Sequence, residues 1–232
     1  RIGVVFQEPS LDDLLTGQEN LRCALALYGR AGQAGEARVT EVLKLLDLWE
    51  RRNDPVGRYS GGMKRRLELG RVLLHHPTLL LMDEPSRGLD AAALRRYYEE
   101  LVRLTQTEQL TILLTTHLPD EAEHCHQLGV LDAGKLIAQG SPAELLETVG
   151  GDVITISAAD AAAVEAGLRE TLASNFELVH SAPDELVLLA PRAHELIPRL
   201  VECFPKGRLR SVAMRRPSLG DLFVKLTGRG LA

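Results

Sequence analysis

Leu79-Leu80-Leu81-Met82 limits what this chain can fold into more than any other stretch, because it is unbroken by a polar residue and is bounded by Pro77-Thr78 and Asp83-Glu84-Pro85. It is too short for a helix of ordinary length, and a run without alternation is the pattern of a strand buried on both faces, as in a parallel sheet between helical layers. Segments around it support that reading. A helix-periodic stretch covers about Ala91 to Gln106, and Leu110 to Thr116 is again strand-like, giving strand, helix, strand. The expected class is α/β.

Upstream, Ile2 to Phe6 is a short β-rich run, and Pro9 is expected to end it and open a loop. Thr16 with Glu19 has capping-box spacing, and Leu21, Ala24, Leu25 and Tyr28 follow at helical period until Gly29 and Gly32. A second helix is expected from about Glu36, with Val39, Val42, Leu43 and Leu46 on one face. Arg51 to Gly57 reads as a polar loop, and Ser60 as the N-cap of a helix reaching about His75. Downstream, Pro119 opens a short helix, Asp132-Ala133-Gly134-Lys135 turns a hairpin, and Ser141 caps one more helix.

At Gly150-Gly151 the pattern restarts. A strand from Asp152, a helix from Ala159, strands at Phe176 to Val179 and Glu185 to Leu189, a helix from His194 and a strand from Leu209 form β-α-β-β-α-β, the split unit of ferredoxin-like folds. A final helix after Pro217 ends near Gly228. The expected domains are therefore residues 1–150 and a small α+β domain over 151–232.

Composition narrows the function classes. Lys and Arg number 27 against 32 Asp and Glu, a net charge of −5, so the surface as a whole is not built for a phosphate backbone and any anion site must be local. No apolar stretch approaches the roughly 20 residues that span a bilayer. Cys23, Cys125 and Cys203 are odd in number and far apart, which fits a reducing compartment better than a disulfide framework or a zinc knuckle. The chain starts at Arg1 on what already reads as a strand, so its true beginning is expected to lie upstream.

Three local patterns could carry chemistry. Ser60-Gly61-Gly62-Met63 precedes a first turn with Lys64, Arg65 and Arg66, the wrong sign for the positive end of a helix dipole; an anion held by side-chain-free amides would account for it, and so would a solvated basic turn. Asp83-Glu84 follow the most apolar strand, at the edge where open α/β sheets bind ligands. One carboxylate suits a Mg²⁺ ligand and the other a base for water, although an acidic turn that caps a helix would look the same. His117 would reach that edge if its strand lies beside Leu79 to Met82, or it is a surface residue. Gln7 has nothing local to distinguish it. Gly129 to Lys135 matches seven positions of the phosphate-loop pattern, but Leu136 stands where Ser or Thr must be and the inner residues are those of a strand, so it is set aside.

Taken in order, Gln7, Tyr59-Ser60-Gly61-Gly62-Met63, Leu79 to Pro85, Ser86-Arg87-Gly88-Leu89-Asp90 and His117 resemble the ATPase subunits of ABC transporters. Thr115 to Glu123, Arg216-Pro217-Ser218-Leu219 and Phe223 to Gly228 look most like the multidrug and daunorubicin-resistance exporter branch. The resemblance implies an incomplete ABC-type P-loop NTPase domain with a helical signature subdomain over about 16–76, followed by that branch's accessory domain. It implies that ATP and Mg²⁺ are bound. Gln7 and Asp83 would meet Mg²⁺, partly through water, Glu84 would be the catalytic base, and His117 would stabilise the transferring γ-phosphate. Ser60, Gly61, Gly62 and Met63 would bind ATP held by a second subunit in a head-to-tail dimer, and Asp90 would lie in the loop joining the two.

Membrane-spanning permease subunits would be the other partners, on the cytoplasmic face of the membrane, with no nucleic acid. Tyr59 departs from the usual Leu, Lys64 from Gln and Arg87 from a small or polar residue. The family's adenine-stacking aromatic and Walker A loop are not within the sequence, so this chain alone is expected not to turn over ATP, and part of its sheet is expected to be uncovered. A non-catalytic module that lends its signature helix to a competent partner is the alternative; a DNA-repair or translation-factor ATPase fits less well without a coiled coil, second cassette or basic patch.

Overall fold

The computed structural model describes residues 2–8, 10–29, 32–172, 176–204 and 207–228, so Pro9, expected to end the first strand, lies outside the described residues. The chain divides into two compact units, residues 1–117 and 118–232.

The first unit runs β1 (Ile2–Val5), α1 (Gly17–Leu27), α2 (Gln33–Leu45), α3 (Gly61–Leu73), β2 (Leu79–Asp83), α4 (Ala91–Thr107) and β3 (Thr111–Thr115). The strands form one parallel sheet in the order β1-β2-β3, with Val5 opposite Met82 and Met82 opposite Leu114. Val5, Leu80 and Met82 are buried in a cluster with Leu67, Val72 and Leu73 of α3 and Tyr97, Leu101 and Leu104 of α4. The opposite face is open, with Ile2 58%, Val4 41% and Leu113 63% exposed. Burial of Leu79 to Met82 on both faces is therefore not what the structure has: Leu80 and Met82 are buried, whereas Leu79 and Leu81 are half-covered. An unbroken apolar run gives no sign of which face is covered.

Helices α1, α2 and α3 pack through Leu21 and Leu25, Val39, Val42 and Leu43, and Leu67 and Leu69. Thr16 and Glu19 complete the expected capping box, Glu19 N donating to Thr16 Oγ1 and Thr16 N to Glu19 Oε2 at 2.8 Å. Such a cap contributes about 1 kcal/mol. Helix α2 starts at Gln33, ahead of the expected Glu36, and short 3-10 turns, Trp49–Arg51 and Val56–Arg58, overlap the two ends of the expected loop Arg51 to Gly57.

The second unit runs α5 (Pro119–Ala122), β4 (Leu128–Asp132), β5 (Lys135–Gly140), α6 (Pro142–Glu147), β6 (Asp152–Ala158), α7 (Ala161–Leu172), β7 (Glu177–Ala182), β8 (Glu185–Ala190), α8 (Ala193–Cys203), β9 (Leu209–Arg215) and α9 (Leu219–Thr227). Strands β4 and β5 pair antiparallel around Ala133 and Gly134, both at positive φ, so the phosphate-loop look-alike Gly129 to Lys135 lies on a hairpin. A four-stranded antiparallel sheet has the order β7-β8-β6-β9. The boundary expected near Gly150 lies inside this unit. Leu145 and Val149 before it share a cluster with Val153, Leu189, Leu219 and Leu222 after it.

Candidate functional site

Because β1, β2 and β3 are parallel, their carboxyl ends lie along one edge of the sheet, and Gln7, Asp83, Glu84 and His117 follow or close them. Gln7 Nε2 donates to Glu84 Oε2 at 2.7 Å, and His117 Nδ1 lies 3.2 Å from Glu84 Oε1. A carboxylate only accepts, so a hydrogen bond between these two groups uses the imidazole tautomer with its hydrogen on Nδ1. Each Glu84 oxygen then has one partner and keeps a lone pair for another. The Glu84 backbone has φ +41°, a left-handed conformation that costs of order 1–3 kcal/mol in a residue with a side chain and gathers at functional sites.

Thr115 joins the carboxylates and was missed in the sequence. Its hydroxyl donates to Asp83 Oδ1 at 2.6 Å and accepts from Glu84 N at 3.2 Å. Register is the cause, since Thr115 lies directly opposite Asp83 on the neighbouring strand. Only knowledge of that pairing would have separated it from Thr116. Asp83 and Gln7 offer a carboxylate and an amide oxygen, and among the described residues no group of three His, Cys, Asp or Glu side chains forms a metal cage. Such a hard, sparse oxygen set fits Mg²⁺, which retains several waters and is held by one or two carboxylates plus substrate phosphates.

Ser60 is the N-cap of α3, its hydroxyl accepting from Met63 N at 3.3 Å. Gly61 and Gly62 sit in close packing, where a side chain would be tight. A Cβ on Gly61 would lie 3.3 Å from the Gly88 carbonyl oxygen, and one on Gly62 3.2 Å from Ala93 Cβ. This turn therefore sits against the 88–93 stretch, where Asp90 caps α4 by accepting from Ala93 N at 2.8 Å. Met63 packs on the core.

The three cations after Ser60 do not mark an anion by themselves, because the chain supplies their partners. Lys64 Nζ donates to Asp13 at 2.7 Å, Arg66 donates to the Leu46 carbonyl beside Asp47, and Arg65 is buried with Glu68. What remains of the anion argument is Ser60 and the amides of the first turn. Tyr59, in place of Leu, is buried with its hydroxyl donating to the Arg51 carbonyl at 2.8 Å; burial, and then the charge of Asp54, push its phenol pKa up. Arg87 is exposed and lies 3.7 Å from Glu8.

Comparison with known proteins places the chain in a family. The family description ABC transporter matches residues 1–87. The chain is 39% identical over 232 residues to the Nod factor export ATP-binding protein I of Burkholderia thailandensis, covering 99% of this chain and 73% of that protein. It is 34% identical over 239 residues to the daunorubicin resistance ATP-binding protein DrrA2 of Streptomyces coeruleorubidus, covering 98% and 72%. Among solved structures, CbiO1 of Clostridium perfringens, part of the ABC transporter complex CbiONQ, is 27% identical with a TM-score of 0.57, over 64% of this chain and 62% of that one.

Proposed function

Because the chain belongs to the family of ABC transporter ATP-binding proteins, we propose that it hydrolyses ATP to energise an exporter, as the names of its relatives suggest. The observation that carries this reading is Glu84, held in left-handed backbone at the end of β2 with Gln7 and His117 on its two oxygens.

In this reading Glu84 accepts a proton from water as the water oxygen attacks the γ-phosphorus of ATP and the bond to the β-γ bridging oxygen breaks, leaving ADP and inorganic phosphate. His117 stabilises the γ-phosphate oxygens. With Nδ1–H turned to Glu84, the ring can donate from Nε2 as well only when doubly protonated. Asp83, fixed by Thr115, and the oxygen of Gln7 hold Mg²⁺, which when bound neutralises charge on the phosphates. Ser60, Gly61, Gly62 and Met63 turn backbone amides and a hydroxyl toward the γ-phosphate of a nucleotide on a second subunit, and Asp90 belongs to the joint between subunits.

The partners in this reading are that second subunit, arranged head to tail, and membrane-spanning permeases. No helix among the described residues is long and apolar enough to cross a membrane, so the chain would act at the membrane surface through those partners. Residues from Gly151 form the accessory domain, whose strand order β7-β8-β6-β9 supports a ferredoxin-like assignment. In the whole polypeptide, Glu84→Gln is expected to retain ATP binding and to lower turnover by at least 10²-fold, as loss of a general base does. Turnover at the wild-type rate would sink the reading.

A further inference from the structure

We infer that Arg65 is a positioning residue that sets the spacing between Gln7 and Glu84, an inference that rests on the role proposed for Glu84. Its side chain is almost wholly buried, 3% exposed, just past the first turn of α3. Nη1 donates to the Phe6 carbonyl at 2.8 Å and Nε to the Pro85 carbonyl at 2.5 Å. Phe6 immediately precedes Gln7, and Pro85 immediately follows Glu84. One planar guanidinium, with its donors at fixed angles, therefore grips the chain beside both residues.

Nothing in the sheet does this work. The pairing of β1 with β2 ends at Val5 opposite Met82, so Gln7 and Glu84 lie beyond the ladder. Their 2.7 Å hydrogen bond depends on how the two segments are held after the strands stop. A second fastening lies one turn along α3. Glu68, 5% exposed, accepts from Ser10 N at 2.6 Å and pairs with Arg65 and Arg71, while Arg71 donates to the Ser10 carbonyl at 2.6 Å. The segment carrying Gln7 is thus tied to α3 at Phe6 and again at Ser10.

Stability alone does not account for these charges. Replacing a buried ion pair with apolar residues of similar volume is often neutral or stabilising, so a cheaper core was open to the fold. The helix that carries Arg65 begins at Ser60, so the turn proposed to meet an anion and the Gln7–Glu84 pair are tied to one helix.

The first readout needs no nucleotide. In the chain itself, the side-chain amide of Gln7, assigned by its loss in Gln7→Ala, is followed by nitrogen-proton NMR. Arg65→Met and Arg65→Lys are both expected to shift this signal, Lys because its single ammonium cannot reproduce the guanidinium fork. Arg66→Met, which loses the Leu46 carbonyl and the neighbouring Asp47 but no contact with the Phe6 or Pro85 carbonyl, is expected to leave it in place. The second readout is turnover in the whole polypeptide. Arg65→Lys is expected to lower kcat by about 10²-fold, the size of a small misplacement of reacting groups, with KM within about twofold. In a Gln7→Ala background the same substitution is expected to lower kcat clearly less than in the wild type, since the part of its route that runs through Gln7 is gone and only the Pro85 tie remains.

An unmoved Gln7 signal in Arg65→Lys, or an equal loss of kcat with and without Gln7, overturns the inference. Should Arg65→Met not fold, Arg65→Lys carries both readouts. Full turnover in Glu84→Gln would instead remove the reading on which the inference rests, so the two failures are told apart.

Discussion

In the parallel sheet, Val5, Leu80 and Met82 are buried on one face while Ile2, Val4 and Leu113 stand open on the other. In the antiparallel sheet, Ile154, Ile156, Leu186 and Leu188 fill one cluster and Val153 and Leu189 fill a second on the opposite face. The polar residues divide the same way. Beside the antiparallel sheet one group of them closes a local circuit, where Ser218 and Asp221 form a capping box that Arg215 completes at 2.5 and 2.8 Å. At the parallel sheet they reach across strands, from Gln7 and His117 to Glu84 and from Thr115 to Asp83. Parallel strands all finish at one edge and so collect the residues that follow them, whereas antiparallel strands send alternate ends to opposite edges. The first arrangement gathers polar residues from separate strands at one edge, and the second is covered on both faces.

The sharpest way to break that contrast is to remove volume from the doubly covered sheet. Leu188→Ala, at a fully buried position, is expected to cost about 2–5 kcal/mol in urea unfolding followed by circular dichroism. A cost below 1 kcal/mol would mean the two sheets are not packed differently.

Asp221 comes next. Burial works to raise its pKa, yet the hydrogen bonds from Arg215 and Ser218 prevail and hold its carboxyl below the ordinary range. A depressed folded-state pKa contributes stability that is complete above the unfolded value near 3.9 and lost as pH falls through the folded value. Asp221→Asn is therefore expected to cost about 1–3 kcal/mol at pH 7, and the gap to wild type should close as both are unfolded toward about pH 2. A gap that is constant with pH would assign the loss to shape rather than charge. The smallest effect belongs to the open face, where Leu113→Ala is expected to change stability by less than about 0.5 kcal/mol. A larger loss would show that this face is covered in solution.

Much of this was legible in the sequence because strand ends and helix starts have short-range chemistry. Thr16, Ser60 and Ser141 announce helices by the oxygen they offer to an amide three residues on, and each does so in the structure, where Asp90 and Ser218 prove to cap helices in the same way. Glu84 and His117 could be brought to one edge from topology alone. Thr115 could not, since its importance comes from register with Asp83, which no local pattern encodes. Arg65 was hidden for a related reason: Lys64-Arg65-Arg66 reads either as the surroundings of an anion or as a solvated basic turn, and only the burial of its middle member separates Arg65 from its neighbours. The one-sided burial of Leu79 to Met82 was equally hidden, because an apolar residue is the same letter whether or not its face is covered.

The left-handed backbone at Glu84 has a consequence for how this protein would respond to artificial selection. Gly and Asn enter that region at little cost, so thermal tolerance, taken as the sole criterion in a mutant library, favours replacing Glu84 with one of them. On the role proposed for Glu84, heat-resistant survivors would then be enriched in chains that fold well but have lost the base. A screen for robustness at this position is a screen against work, and any engineering of this chain has to score both at once.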